Sequence, residues 1–241
     1  MSKFRSLFVL RLTAFLITIL SCISVYSIEY KDIQAVREKE GNKAAFTLLK
    51  QLAEQGDSYA QFNLGVMYDK GEGTTKNYIQ AFKWYKKAAE QGNALAQNNL
   101  GFMYDRGEGT PKNYIQAFNW YKKAAEQGNA QAQCNLGNMY RYGIGIPKNY
   151  MQAFNWFKMA AEQGNAQAQC NLGVMHNDGL GTPKNYVEAY KWYSIAAASD
   201  SSSEDKVSAP ARALMNNCES KMTPEQIATA QNLAKEWVET H

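Results

Sequence analysis

Leu100-Gly101-Phe102-Met103-Tyr104-Asp105-Arg106-Gly107-Glu108-Gly109 is the stretch on which the fold turns, because it recurs. Leu64-Gly65-Val66-Met67-Tyr68 precedes it. Leu136-Gly137-Asn138-Met139-Tyr140 and Leu172-Gly173-Val174-Met175-His176 follow, and the Leu-Gly pair advances by 36 residues each time. A fixed period of this size marks stacked supersecondary units, each too small to bury its own apolar face.

Working outward from that stretch, each copy reads as two helices. Ala60, Leu64, Met67 and Tyr68 recur at i, i+4, i+7 and i+8, the apolar face of a first helix, helix A. Asp57, Asn93, Asn129 and Asn165 precede it as N-caps, each directly after a Gly that closes the helix before. The return of Gly65, Gly101, Gly137 and Gly173 inside a helix, against propensity, indicates a close helix approach. Lys70-Gly-Glu-Gly-Thr-Thr-Lys-Asn77 cannot continue the helix, and its Gly71 and Gly73, like Gly107 and Gly109, serve a turn. Helix B then runs from about Tyr78 to Gln91, with Ala81, Phe82, Tyr85, Ala88 and Ala89 inward and Trp84 placed to reach the next copy.

Four full copies cover 57–92, 93–128, 129–164 and 165–200. The segment 28–56 is a polar lead-in with some helix, followed by a half-copy from Asn42. The segment 201–241 is a C-terminal helical cap, where Thr223-Pro-Glu-Gln226 has the form of a capping box with Pro at N1. The expected fold is all-α: a right-handed α-solenoid of stacked antiparallel helix pairs, its large and small residues alternating so that the helices interdigitate.

Residues Ala96, Leu100-Gly101, Tyr104, Gly107, Gly109, Ala117, Trp120-Tyr121, Lys123-Ala124-Ala125 and Gly128 carry a resemblance to the Sel1-like repeat family. The third copy departs from the pattern at Trp156-Phe157-Lys158-Met159 and the fourth at His176 and Ser194-Ile195. The period and the Gly-x-Gly loop separate it from the related 34-residue tetratricopeptide repeat. The resemblance implies an adaptor or scaffold with a protein-binding surface rather than a reaction. Exported bacterial members are linked to envelope processes and host interaction. A cysteine-rich branch is linked to β-lactam binding and hydrolysis, but it carries paired cysteines in every copy, and this chain does not.

The address is written at the start. Lys3, Arg5 and Arg11, the apolar run Leu12 to Leu20 and Val25-Tyr26-Ser27 have the form of an export signal, residues 1–27, cut after Ser27. Two alternatives stay open: an uncleaved membrane anchor, and lipidation at Cys22 within Ile19-Leu20-Ser21-Cys22. The chain is expected in the periplasm or outside a bacterium, and touches a membrane only through an uncleaved or lipidated N-terminus. Across 241 residues the formal charge is +4, but removing those three residues from the 26 Lys and Arg leaves 23 against 22 acidic residues. Such a balance gives no broad pull on nucleic acid or anionic lipid. Of the 4 cysteines, Cys134 and Cys170 hold the same place in neighbouring copies. Helices stacked about 10 Å apart set them beyond disulfide reach, so they read as packing residues, as does Cys218.

Candidate chemistry is sparse. His176 fills a Tyr position and His241 is terminal, so no metal site, and no cofactor, is expected. Ser203-Glu-Asp-Lys206 matches the opening motif of serine β-lactamases, but its companion elements are absent. Asp69 and Glu72 are expected on a solvated turn without the burial that shifts a carboxylate. What remains is helix A, which lines the concave face in helix-pair solenoids. Gln61/Asn63, Gln97/Asn99, Gln133/Asn135 and Gln169/Asn171 recur there, either as structural hydrogen bonds or as a ladder of amides gripping a peptide backbone. Positions that differ between copies (Val66, Phe102, Asn138, Val174; Lys70, Arg106, Tyr142, Asp178) are then the ones that set specificity. The reading is an exported scaffold mediating protein–protein interaction, without catalysis of its own. The alternatives are a β-lactam-acting hydrolase and a membrane-tethered regulator of an envelope complex.

Overall fold

The computed structural model describes residues 30–198 and 207–240. Every regular element among them is an α-helix: α1 (Tyr30–Glu40), α2 (Asn42–Glu54), α3 (Ser58–Lys70), α4 (Tyr78–Glu90), α5 (Ala94–Arg106), α6 (Tyr114–Glu126), α7 (Ala130–Tyr142), α8 (Tyr150–Glu162), α9 (Ala166–Asp178), α10 (Tyr186–Ala198), α11 (Ser208–Glu219) and α12 (Pro224–Thr240). Residues 1–27, where an export signal is expected, Ser203 to Lys206 and His241 lie outside the described residues. Two compact units divide the chain within α4, Met1–Ala88 and Ala89–His241.

In the first unit, Ile33, Ala45, Leu49, Leu52, Ala53, Ala60, Leu64 and Met67 form one buried cluster. The lead-in is more ordered than its polarity suggests. α1 is a helix of 11 residues that buries Ile33, and Arg37 on it pairs with Glu72 at 3.4 Å. Phe46 meets Tyr68 edge-on, ring centroids 5.3 Å apart, joining α2 to α3.

The second unit stacks the pairs α5/α6, α7/α8 and α9/α10, and packs α11 and α12 on α10. Ala117, Tyr121, Ala124, Ala125, Ala132, Leu136 and Met139 form a core shared by α6 and α7. A second cluster runs from Cys134 and Phe157 to Trp192, Ile195 and Ala234. Trp192, the equivalent of Trp84 in the fourth copy, reaches the C-terminal helices, meeting Trp237 of α12 at 5.8 Å. The start of α12 is a reciprocal capping box: Gln226 N–H donates to Thr223 Oγ1, and Thr223 N–H donates to Gln226 Oε1 at 2.9 Å.

The glycine inside each helix A has a steric cause. A Cβ on Gly101 would lie 2.7 Å from the Tyr121 ring, and the same holds for Gly65 against Tyr85, Gly137 against Phe157 and Gly173 against Tyr193. The ring of helix B lies flat on the backbone of its own helix A, and any side chain would push the pair apart. The loop between them is equally constrained. Helix A ends on a left-handed glycine, whose N–H donates to the carbonyl four residues back, as Gly107 does to Met103 at 2.8 Å. Asn113 N–H then donates to Tyr104 O at 2.8 Å and closes the turn. The second loop glycine packs on the neighbouring copy: at Gly145 (φ 70°) a Cβ would fall 2.7 Å from Tyr114 Cβ.

Gly101→Ala is expected to cost about 1–3 kcal/mol by overpacking against Tyr121, measured by urea unfolding with the far-ultraviolet spectrum of the native state unchanged.

Candidate functional site

Helix A is placed by its two ends. Asp57, Asn93, Asn129 and Asn165 cap it as expected, their side chains accepting from Ala60, Ala96, Ala132 and Ala168 N–H at 2.6–2.9 Å. Helix B has its own Asn caps. Asn77, Asn113, Asn149 and Asn185 each accept from the N–H three residues on at 3.0 Å. Sequence reasoning passed over these four, although the recurring Lys-Asn-Tyr marks them.

The amide ladder divides into two kinds of residue. Gln61, Gln97, Gln133 and Gln169 are 4, 4, 0 and 1% exposed. Their Nε2 groups donate to Ala53, Ala89, Ala125 and Ala161 carbonyls, eight residues back on the preceding helix, at 3.1–3.2 Å. Gln127 Nε2 donates to Gln97 Oε1, and Gln163 Nε2 to Gln133 Oε1, both at 2.7 Å. Each such glutamine ties the end of one helix B, a helix A and the end of the next helix B. That corrects the expectation that the glutamines offer amides on a binding face: they are closed structural hydrogen bonds, because an unpaired amide at this depth is costly.

The asparagines lie nearer the surface. Asn63 is half-buried and its Nδ2 donates to Tyr59 O at 2.8 Å. In the second unit they bond both within a helix and between copies. Asn98 Nδ2 donates to Asn99 Oδ1 at 3.3 Å, and Asn135 Nδ2 to Asn98 Oδ1 at 3.2 Å. Asn171 Nδ2 donates to Asn138 Oδ1 at 3.4 Å, and Gln131 Nε2 to Asn135 Oδ1 at 3.4 Å. Asn171 is buried, while Asn99, Asn135 and Asn138 are half-buried. Around this seam stand residues that differ between copies: Phe102 (41% exposed) beneath the Arg106 guanidinium, Tyr142 (56% exposed) beside that of Arg141, half-buried Val174 and exposed Asp178. In the first unit Val66 is half-buried and Lys70 exposed.

The titratable groups are set for packing. Burial pushes the Cys134 thiol up to about 12 and raises Cys170 and Cys218, so the thiolate is suppressed at neutral pH. All three are buried and unbridged. Asp69 departs from expectation: it belongs to the last turn of α3, and burial raises its carboxyl, opposed by Lys76 and by the nearby Tyr85 and Lys70. Its neighbour Glu72 is held by Arg37. His176 takes the Tyr position as an edge-on partner of Phe154 at 5.2 Å, as Tyr140 does with Phe118 at 5.6 Å. Among the described residues no cluster of His, Cys, Asp or Glu has the arrangement of a metal site. None of the helices they form is long and apolar enough to cross a membrane.

A helix-pair repeat protein with a polar, partly exposed helix-A face is the class these features define. The Sel1 repeat model matches residues 39–57, 58–93, 94–129, 130–165 and 166–201, and the chain belongs to the Sel1 repeat family. Its first match is a partial copy over α2, which the sequence showed as a half-copy. Among solved structures, a Sel1 repeat protein from Oxalobacter formigenes is similar at 33% identity and TM-score 0.70, over 85% of this chain and 80% of that one. Another is c5321, a protective antigen of uropathogenic Escherichia coli strains with the same repeat fold, at 33% identity and TM-score 0.53. That match covers 82% of this chain but 49% of c5321, so the chain spans about half its length. A comparison with curated proteins returns no match.

Two outcomes test this geometry. Gln133→Leu removes its bonds to the Ala125 carbonyl and from the Gln163 amide, which keep Gly128 N–H and the Met159 carbonyl as partners, and is expected to cost about 0.5–1.5 kcal/mol for each bond lost, read by urea unfolding. His176 has its pKa lowered by burial first, with Lys191 and Lys158 also lowering it and Glu188 opposing. A lowered folded pKa means that the unfolded chain takes up the proton first. Stability is therefore full above about 6.5 and falls as pH drops from there through the folded value. The melting temperature of wild type should drop below that of His176→Tyr between pH 7.5 and 5, and parallel curves would show that His176 does not titrate differentially.

Proposed function

We propose that the chain is an exported scaffold that holds other proteins on the helix-A face of α5, α7 and α9, without a reaction of its own. The observation that carries this reading is the placement of Phe102, Arg106 and Tyr142. The four buried glutamines and the ring-on-glycine contacts are constant from copy to copy and internal. These three side chains differ between copies and face outward. Exposed aromatic and Arg side chains beside an amide seam are the residue types that anchor protein partners. Membership of a repeat family that mediates protein interactions supports the same reading. The form of residues 1–27 supports export, with periplasm or cell exterior as the destination.

Site-specific photo-crosslinking tests it. A photo-reactive phenylalanine analogue at Phe102 or Tyr142 should give discrete protein adducts in the envelope fraction. The same group at Ile115, 62% exposed at the start of α6, should give none. N-terminal sequencing of the crosslinked chain should start at Ile28. Adducts at Ile115 alone, or at no position, would reject the helix-A face, and an intact Met1 would reject cleavage.

A further inference from the structure

The third copy breaks the pattern at two positions that touch. Where it has Arg141, the other copies have Asp69, Asp105 and Asn177. Where it has Phe157, they have Tyr85, Tyr121 and Tyr193. Asp69 and Asp105 each lie within electrostatic reach of the Tyr on their own helix B, Tyr85 and Tyr121. Both ends of that internal link change together in the third copy. Phe157 keeps its ring on Gly137 but has no hydroxyl, so residue 141 has no polar group of that ring to face.

The released position carries a guanidinium that turns across the face. Arg141 Nη1 donates to Asn171 Oδ1 on α9 at 3.3 Å, and its Cζ lies 5.1 Å from the centre of the Tyr142 ring. No carboxylate of the described residues lies within ion-pair distance of Arg141 or of Arg106. On helix B the pattern is different, with Lys122 paired to Glu126 at 3.7 Å, Lys158 to Glu162 at 3.8 Å and Lys191 to Glu188 at 3.4 Å. The acidic groups near the two arginines are turned to other work: Asp105 faces Tyr121, and Asp178 accepts from Asn177 Nδ2 at 2.6 Å. The half-buried Arg141 guanidinium thus has one neutral acceptor from the protein, and its other donors are open to a ligand.

We propose that Arg141 and Arg106 receive carboxylates of an acidic, extended protein segment laid along α5, α7 and α9, with the Asn98–Asn135 and Asn138–Asn171 seam meeting its backbone. The inference rests on the interaction reading above and names the chemistry of the partner. Guanidinium and carboxylate match in charge and in planar geometry. Asn amides have donors and acceptors to spare beyond the bonds that link them. Neighbouring helices lie about 10 Å apart, and a chain in the extended polyproline II form rises about 3.1 Å per residue and returns to the same face every three. Two acidic side chains about three residues apart therefore suit adjacent copies. Phe102 and Tyr142 form the apolar flanks of the two charges.

The probe is a display library of random dodecapeptides selected on the purified chain, with enriched peptides then measured by fluorescence anisotropy. Enriched peptides should carry paired Asp or Glu about three residues apart. Their affinity should fall at least tenfold in Arg141→Gln and in Arg106→Gln, recover in part in Arg141→Lys, and weaken with added salt, while both Gln variants melt as wild type does. Arg106 is exposed, so its variant keeps the test valid if Arg141→Gln folds poorly. Neutral or basic peptides that depend on Phe102 or Tyr142 but on neither arginine would overturn the acidic segment and leave the interaction face standing. Failure to enrich any peptide, or enrichment independent of all four side chains, would overturn both.

Discussion

An aromatic ring lying on a glycine is the contact on which each copy depends. Gly101 brings α5 close enough for the Tyr121 ring to rest on its backbone, and the contact recurs at Gly65, Gly137 and Gly173. It fixes the separation of helix A from helix B and the register between them. That register sets where the loop must close, and the loop then has room only for a left-handed glycine and a second glycine pressed on the neighbouring copy. A requirement at one position thus propagates through the copy and into the next, which is why the glycines return at the same period as the aromatics.

Between copies a polar device takes over. Gln97 and Gln133 are buried among apolar residues and bonded at both ends of the amide. Apolar contact alone tolerates small slips of one helix pair over the next. A buried amide does not, because a slip leaves a donor or an acceptor without a partner. The glutamines therefore specify how one pair sits on its neighbour, and the alanines at 0% exposure around them supply the close fit.

The fold was legible because its signals are periodic and local. Helix A, helix B, the Asx caps and the capping box at Thr223 follow from spacing and residue type, and the structure shows them. The glutamines show where such reasoning stops. Gln97 and Asn99 are two residues apart, both polar and both constant, and only the rotation of the helix decides that one is sealed and the other half-exposed. Asp69 and Glu72 were read as solvated for the same reason. Asp69 is partly buried in the last turn of α3, and Glu72 finds its partner Arg37 on α1, a nonlocal contact. The seam from Asn98 to Asn171 was invisible as a network, because its bonds join residues more than 30 positions apart.

Repetition also supplies an internal control for what a residue is for. In the first copy Asp69, in the last turn of helix A, lies near Tyr85 of helix B; in the third, Arg141 and Phe157 stand in their places. The ring stays on its glycine in both, so the packing constraint is met without the polar link. A position that loses its structural partner is free to answer to something else. In a chain whose copies are otherwise held alike by glycine, ring and glutamine, the departures are where selection for binding has room to act. His176 is a departure of a milder kind, since it keeps the edge-on contact of the Tyr it replaces. Arg141 keeps nothing of its predecessor's role, and its guanidinium points to a different element altogether.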